Sequence, residues 1–347
     1  MTHFSLTDLG WSYRFLAQLT PEEAETRNLA RITTVARDRL GALTPDTSLT
    51  LLPTAGTSSG AYATGDWVIF DPVSARVIRR LEPLTELSRR AAGTGADRQL
   101  IASNVDTLGI VSSCNADFNL ARLERYLALA GSSGALPLVI LTKADLCDDP
   151  DSYRKQAARL SPLVTAIALN ATDPDMAETL APWCRNGQTL ALLGSSGVGK
   201  STLANALTGG DAATRGIRED DAKGRHTTTA RGLDRTVFGG WLIDTPGMRA
   251  LRLTDAAEGI ETVFSDLGAL ALDCRFSDCS HETEPGCAIQ AAIAAGDIDP
   301  DRLDRWRKLA REDARNSRSL HEARSHDRAL GKMYRSAQKG KRDRTRS

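Results

Sequence analysis

Gly194-Ser195-Ser196-Gly197-Val198-Gly199-Lys200-Ser201 is the stretch on which the reading of this 347-residue chain turns. An apolar run, Thr189–Leu193, leads into it, and a helix-forming run, Thr202–Leu207, leads out. Strand, glycine loop and helix in that order form a phosphate-binding loop. The glycines let successive backbone N–H groups curl around a phosphate, and the helix N-terminus adds positive potential. Lys200 is placed to bridge the β- and γ-phosphates of a nucleoside triphosphate, and Ser201 to give a hydroxyl ligand to Mg²⁺. Ser195, Ser196, Gly197, Val198 and Thr202 complete the cradle.

Working outward, Asp244-Thr245-Pro246-Gly247 follows an apolar strand, Trp241–Ile243, 44 residues after the lysine. An aspartate at the C-terminal end of a strand holds Mg²⁺ through water, and Gly247 can offer its N–H to the γ-phosphate. In the other direction, Thr142-Lys143-Ala144-Asp145 follows the apolar Leu136–Leu141. It resembles the Asn-Lys-x-Asp element of GTPases, whose aspartate accepts from the N1–H and 2-amino groups of guanine. Adenine lacks that donor pair and leaves the carboxylate unpaired, which disfavours an ATPase. Thr142 replaces the usual asparagine, so a weaker loop tether is expected. Asn170-Ala171, after the strand-like Val164–Leu169, resembles the Ser-Ala element that contacts the guanine carbonyl. Both guanine-type elements precede the phosphate loop, the reverse of the ordinary order. A circular permutation explains this, because domain termini often lie close together.

The remaining chain divides into zones. Up to about residue 98, Ile32–Val35, Leu49–Leu52, Trp67–Phe70 and Arg76–Ile78 read as short strands separated by turn residues, which predicts a small β-barrel behind a helix over 6–19. Residues 99–265 alternate strands with helices, the rhythm of a mostly parallel sheet covered on both faces. Residues 266–347 hold a cysteine cluster and then a basic helical tail. From Arg302 onward there are 16 Lys+Arg against 6 Asp+Glu, leaving 28 against 38 elsewhere, so a neutral total hides a basic tail on an acidic body. That asymmetry suits either a polyanion such as RNA or a solvated helix. No stretch approaches the roughly 20 apolar residues of a membrane span, and no secretory leader opens the chain, so a cytoplasmic protein with no membrane contact is expected.

Cys274-x4-Cys279-x-His281-x5-Cys287 places three thiols and an imidazole within 14 positions. Four such ligands with no open position describe one structural, tetrahedral Zn²⁺ ion. Cys114, Cys147 and Cys184 are scattered and read as small buried apolar residues.

The phosphate loop, Lys223-Gly224-Arg225-His226-Thr227-Thr228-Thr229, Asp244-Thr245-Pro246-Gly247-Met248-Arg249 and the cysteine cluster together resemble the RsgA (YjeQ) family of circularly permuted GTPases, over almost the whole chain. The resemblance implies a multidomain protein: an N-terminal OB-like β-barrel (1–98), a permuted α/β P-loop GTPase domain (99–265) and a zinc-binding α-helical domain (266–347). It implies a monomer that binds GTP and GDP, and hydrolysis of GTP stimulated by the small ribosomal subunit. It further implies contact with that subunit's rRNA during late maturation. Residues 223–229 look like the first switch loop, with one of Thr227, Thr228 and Thr229 completing Mg²⁺ coordination. Met248 stands where many GTPases carry a water-orienting glutamine, so slow intrinsic hydrolysis is expected, with the missing group supplied by His226 or by the ribosome. A different class of reading is an RNA-binding module in which nucleotide only stabilises the fold.

Overall fold

The computed structural model describes residues 3–90, 98–210, 232–244 and 256–317. Among these, the strands form three sheets. In the N-terminal unit β1 (Leu29–Val35), β2 (Leu40–Leu43), β3 (Ser48–Leu51), β4 (Trp67–Asp71) and β5 (Arg76–Arg80) lie in the order β3-β2-β1-β4-β5, each antiparallel to its neighbour. The two edges meet: Leu52 N donates to Ala75 O at 2.8 Å and Val77 N to Leu52 O at 2.9 Å, a parallel contact that closes the sheet on itself. Ile32, Leu40, Leu51, Val68, Phe70 and Val77 fill the interior. Closure removes the exposed strand edges that an open sheet would present.

A hairpin of β6 (Glu86–Arg90) and β7 (Arg98–Ser103) then leads into β8 (Thr107–Ser113). It joins residues on either side of position 98. The second large sheet adds β9 (Leu136–Thr142), β10 (Thr165–Ala168), β11 (Thr189–Gly194), β12 (Leu233–Arg235) and β13 (Trp241–Asp244), in the order β10-β9-β8-β11-β13-β12. Only β12 is antiparallel. Every residue of β8 and β11 is buried. Alternate residues point into two different cores. Leu138, Ile140, Leu190 and Leu192 pack with Leu203 and Leu207 of helix Lys200–Leu207. Val139, Leu141, Ala191 and Leu193 pack with helix Leu120–Ser133 and with Ile260 and Val263 of helix Ala257–Val263. Continuous apolar runs, rather than alternation with polar residues, are what such two-sided burial requires.

Beyond the sheet, helices Ser265–Leu272 and Ala288–Ala295 precede a helix described over residues 300–317. This last helix is fastened to helix Leu120–Ser133 by buried charge. Glu124, fully buried, accepts from Arg302 at 3.1 Å and from Arg305 at 2.8 Å. No described helix is long and apolar enough to cross a membrane.

The helix expected over 6–19 is shorter than the apolar pattern suggested. Only Tyr13–Leu16 is helical there, and Pro21–Thr26 forms a second turn behind a Thr20/Glu23 capping box. Gly10 is the reason: it has φ +83°, and a Cβ there would stand 2.7 Å from an Arg31 nitrogen and 2.8 Å from Gly187 O. The segment turns at Gly10 to lay Leu9 and Phe15 into the core instead of continuing as a helix. Strand β2 and the β6–β7 hairpin were not read from the sequence.

One side chain of the barrel reaches the second sheet. Arg31, on β1, is buried and donates to Leu9 O at 2.7 Å, Asn104 O at 3.3 Å and Thr189 Oγ1 at 2.7 Å. Burial lowers its pKa to about 10, with Asp106 acting in the opposite sense. Asp106 in turn accepts from Thr189 N at 2.7 Å. The N-terminal end of β11 is thereby held by the barrel. Arg31→Met should leave these acceptors unpaired, lowering stability by about 2–4 kcal/mol in urea unfolding.

Candidate functional site

All the strands that carry sequence-predicted site residues are parallel, so their C-terminal ends lie along one rim of the sheet. In open α/β sheets that rim is where ligands bind. Gly194 ends β11, Thr142 ends β9, Asp244 ends β13, and Asn170-Ala171 follows β10.

The loop after β11 is built by its glycines. A Cβ at Gly194 would fall 2.2 Å from Val111 O of β8, so only glycine lets the strands pair to the loop's start. Gly197 and Gly199 take φ +80° and +93°, the left-handed region that side chains disfavour. Val198 is buried among Leu138, Leu203 and Leu207 and pins the loop's centre, while Ser196 and Gly197 are exposed. Lys200 opens the following helix, and its ammonium donates to Gly194 O at 2.9 Å and to Ser195 O. The ammonium is therefore aimed across the mouth of its own loop. Ser201 and Thr202 are exposed on the first turn of that helix.

Thr142 makes a connection that its substitution for asparagine had put in doubt. Its buried hydroxyl lies 2.7 Å from Val198 O and 3.1 Å from Ser112 O. The tether between the guanine-type loop and the phosphate loop is thus present, made by a hydroxyl. Lys143 follows at φ +59°, uncommon for a residue with a side chain, and turns the chain into the Ala144–Leu146 helical turn that holds Asp145. Asp145 is exposed on the rim. Ala144 N donates to Leu169 O at 3.3 Å, joining this loop to the one after β10. There the Asn170 side chain accepts from Thr172 N at 2.9 Å and from Thr172 Oγ1 at 2.8 Å, which fixes the turn around the buried Ala171. Asp244 sits on the same rim, in register with Leu192 of β11. Gly247, Met248 and the segment Lys223–Thr229 with His226 lie outside the described residues.

One residue beside the loop was missed. Arg122, on helix Leu120–Ser133, engages Ser195: Arg122 Nη1 donates to Ser195 Oγ at 2.6 Å. The available signal was positional, since this helix follows the C-terminal end of β8 and so must start beside the rim.

The cysteine cluster forms a second site. The ligand atoms of Cys274, Cys279, His281 and Cys287 lie within 4.8 Å of one another. Cys274 Sγ is 3.9 Å from Cys287 Sγ and 3.5 Å from His281 Nδ1, and Cys287 Sγ is 3.6 Å from that nitrogen. Metal–sulfur bonds of about 2.3 Å and metal–nitrogen bonds of about 2.0 Å in a tetrahedron give edges of about 3.5–3.8 Å, which the edges among Cys274, His281 and Cys287 match, so the group could hold a four-coordinate metal ion with Cys279 as the fourth ligand. Cys287 caps helix Ala288–Ala295, its sulfur accepting from Gln290 N at 3.5 Å. Of the other cysteines, Cys114 and Cys184 are buried and burial pushes both thiols up to about 11, while Cys147 is half-buried.

Comparison with known proteins gives a consistent picture. A model of the RsgA GTPase family matches residues 81–254. The small ribosomal subunit biogenesis GTPase RsgA of Mesorhizobium japonicum is 55% identical over 321 residues, covering 90% of this chain and 91% of that protein. RsgA 2 of Vibrio parahaemolyticus is 45% identical over 343 residues, covering 99% and 95%. Among solved structures, YjeQ of Thermotoga maritima superposes with a TM-score of 0.59 at 22% identity, over 81% of this chain and 96% of that one. YloQ, described as a circularly permuted GTPase, gives 0.56 at 22% identity, over 86% and 95%. At these identities the structures establish the shared fold.

Replacing Thr142 by valine keeps the shape and deletes the hydroxyl that bonds Val198 O. The variant should be about 1–3 kcal/mol less stable in chemical denaturation, because a buried carbonyl loses its donor.

Proposed function

The chain belongs to the RsgA GTPase family, and we infer that it hydrolyses GTP to GDP and phosphate in the biogenesis of the small ribosomal subunit. The observation that carries this is the join between its two loops. Thr142 ties the guanine-type loop to the phosphate loop whose carbonyls aim Lys200, so base and phosphate sites form one rigid unit. Within that unit we assign Lys200 to the β- and γ-phosphates and Asp145 to the guanine edge, with Lys143, Ala144, Asn170 and Ala171 shaping the base pocket. Residues 194–199 and Thr202 supply the cradle. Ser201 and Asp244 would hold Mg²⁺, which supplies charge neutralisation at the phosphates when bound. Gly247 and His226 keep the roles that their positions in the sequence motifs suggest, at the γ-phosphate and the attacking water.

We read residues 1–98, 99–265 and 266–347 as three functional units, with the β6–β7 hairpin shared between the first two. The strand order of the first unit and its parallel closure at Leu52–Arg76 support an OB-like barrel suited to single-stranded rRNA. The third unit's thiol–imidazole edges support one structural Zn²⁺ ion, and its basic tail supports further rRNA contact. We take the protein to be a cytoplasmic monomer whose GTPase activity rises on the small subunit.

GTP hydrolysis should be strongly stimulated by small ribosomal subunits, lost in Lys200→Ala, and absent with ATP. Nucleotide binding without any stimulated turnover would instead favour an RNA-binding module that uses nucleotide to stabilise its fold. Metal analysis should find about one zinc per chain, lost in Cys279→Ala together with a fall in thermal midpoint. Full stability in a zinc-free preparation would remove the structural assignment.

A further inference from the structure

We propose that Arg122 is a positioning residue for the phosphate loop, acting through Ser195 on the lysine that binds phosphate. The inference rests on the GTPase reading and deepens it. Arg122 Nη1 lies 2.6 Å from Ser195 Oγ and 3.0 and 3.1 Å from the two carboxylate oxygens of Asp117. Asp117 orients the guanidinium, and the guanidinium holds the serine. The Ser195 side chain is thus held by a residue of a neighbouring element.

The grip matters because of what the Ser195 peptide does. Its carbonyl is one of two oxygens that receive the Lys200 ammonium, the other being Gly194 O. Gly194 is fixed by strand pairing with Val111, and Val198 is fixed by its burial and by Thr142. Between those anchors the loop contains Ser196 and Gly197, both exposed, and Gly197 takes a left-handed φ with open space around it. Ser195 is where the exposed half of the loop begins, and Arg122 supplies a side-chain restraint on it from outside the loop. A lysine aimed before nucleotide arrives has less freedom to lose on binding.

The helix that presents Arg122 is itself immobilised. Its N-terminus is capped by Asn119, whose side chain accepts from Arg122 N at 2.9 Å. Glu124 is fastened to Arg302 and Arg305 of the C-terminal helix, and Arg125 to Glu312 at 2.5 Å. A restraint delivered from a fixed helix sets position, whereas one from a mobile loop would only follow the phosphate loop. The partly exposed guanidinium, paired with Asp117, is placed to orient and not to serve as an unpaired cation at the phosphates.

The test is a double-mutant cycle on the full-length protein, read by affinity for a fluorescent GDP analogue, by kcat and KM for GTP, and by thermal midpoint. Arg122→Ala and Ser195→Ala should each weaken nucleotide affinity by about threefold to tenfold, the scale of one ordinary hydrogen bond, because the contact acts on the nucleotide only through Lys200. The double variant should be no weaker than the worse single, because both changes remove one contact. Arg122→Lys, which keeps a charged donor, should recover part of the loss. Ser195→Ala removes the contact from the loop side and keeps the test decisive if Arg122→Ala folds poorly. Additive losses would mean that Arg122 touches nucleotide directly, and unchanged affinity and turnover in both singles would mean that the grip is idle. Either overturns the proposal while leaving the GTPase reading intact. A lowered thermal midpoint with unchanged affinity would overturn it as well, in favour of a purely structural contact. Wild-type protein that fails to bind GDP would overturn the GTPase reading and this proposal together.

Discussion

The architecture depends on one constraint: β11 is buried along its whole length and paired in parallel on both sides, with β8 and with β13. A strand in that setting has no exposed end except along its axis. Its N-terminal end is occupied, since Thr189 is bonded by Arg31 of the barrel and by Asp106. Its C-terminal end is therefore the only outlet, and parallel pairing puts the ends of β8, β9, β10 and β13 on the same rim. The phosphate loop, the Thr142–Asp145 loop, the Asn170 turn and Asp244 are brought together by strand direction alone. Their separation in the chain, about a hundred residues from Thr142 to Asp244, is irrelevant to their proximity.

Strand direction was legible because two-sided burial writes itself as unbroken apolar runs. Leu136–Leu141, Thr189–Leu193 and Trp241–Ile243 carry that signature, and β9, β11 and β13 occupy those positions. The residues missed were those whose role depends on a partner distant in sequence. Leu40–Leu43 is four residues long with a glycine inside it, and it exists as a strand because β1 and β3 pair with it on either side. The 6–19 segment has helical spacing of apolar residues, yet Leu9 and Phe15 answer to a core shared with Trp67 and Leu29. Local propensity is a weak prior against that much burial. Within the site, motif residues were readable since their chemistry fixes their type and spacing. Arg122 belongs to no such pattern, and only the placement of its helix beside the loop reveals it. Thr142 shows the reverse: the substitution was visible, but the hydroxyl's reach to Val198 O was not.

The contact between the C-terminal helix and the sheet raises a different question, because it is built from charges. Burial raises the pKa of Glu124, and Arg305 and Arg302 oppose that rise. Dehydrating a carboxylate and two guanidinium groups costs several kcal/mol per ion, so packed apolar side chains could hold these helices equally well. Apolar packing is non-directional, however, and would tolerate rotation or sliding of one helix on the other. Arg302 instead sits among oxygens of Glu124, Asp266, Leu160 and Val263, a set supplied by three separate stretches of chain. Displacing the helix by one residue would leave several of those groups buried and unpaired. The ionic contact therefore specifies one orientation, which apolar packing would not do.

That orientation gains meaning from the order of the chain. In this permuted arrangement the sheet ends at β13, and Asp244 is followed after a short segment by helix Ala257–Val263, which packs with helix Leu120–Ser133 and leads toward the cysteine–histidine unit. In a GTPase with the ordinary order, the chain after this aspartate would return to the sheet. Here it leaves for the C-terminal unit, while β8 receives the chain directly from the barrel's hairpin. The edge of the sheet that carries Asp244 is thus covalently continuous with the cysteine–histidine unit, and the opposite end of β11 is bonded to the barrel through Arg31. Both flanking units are attached to the same strand system at its two ends. One attachment is the peptide chain after Asp244 and the other is the hydrogen bond from Arg31 to Thr189, and chain order alone supplies the first.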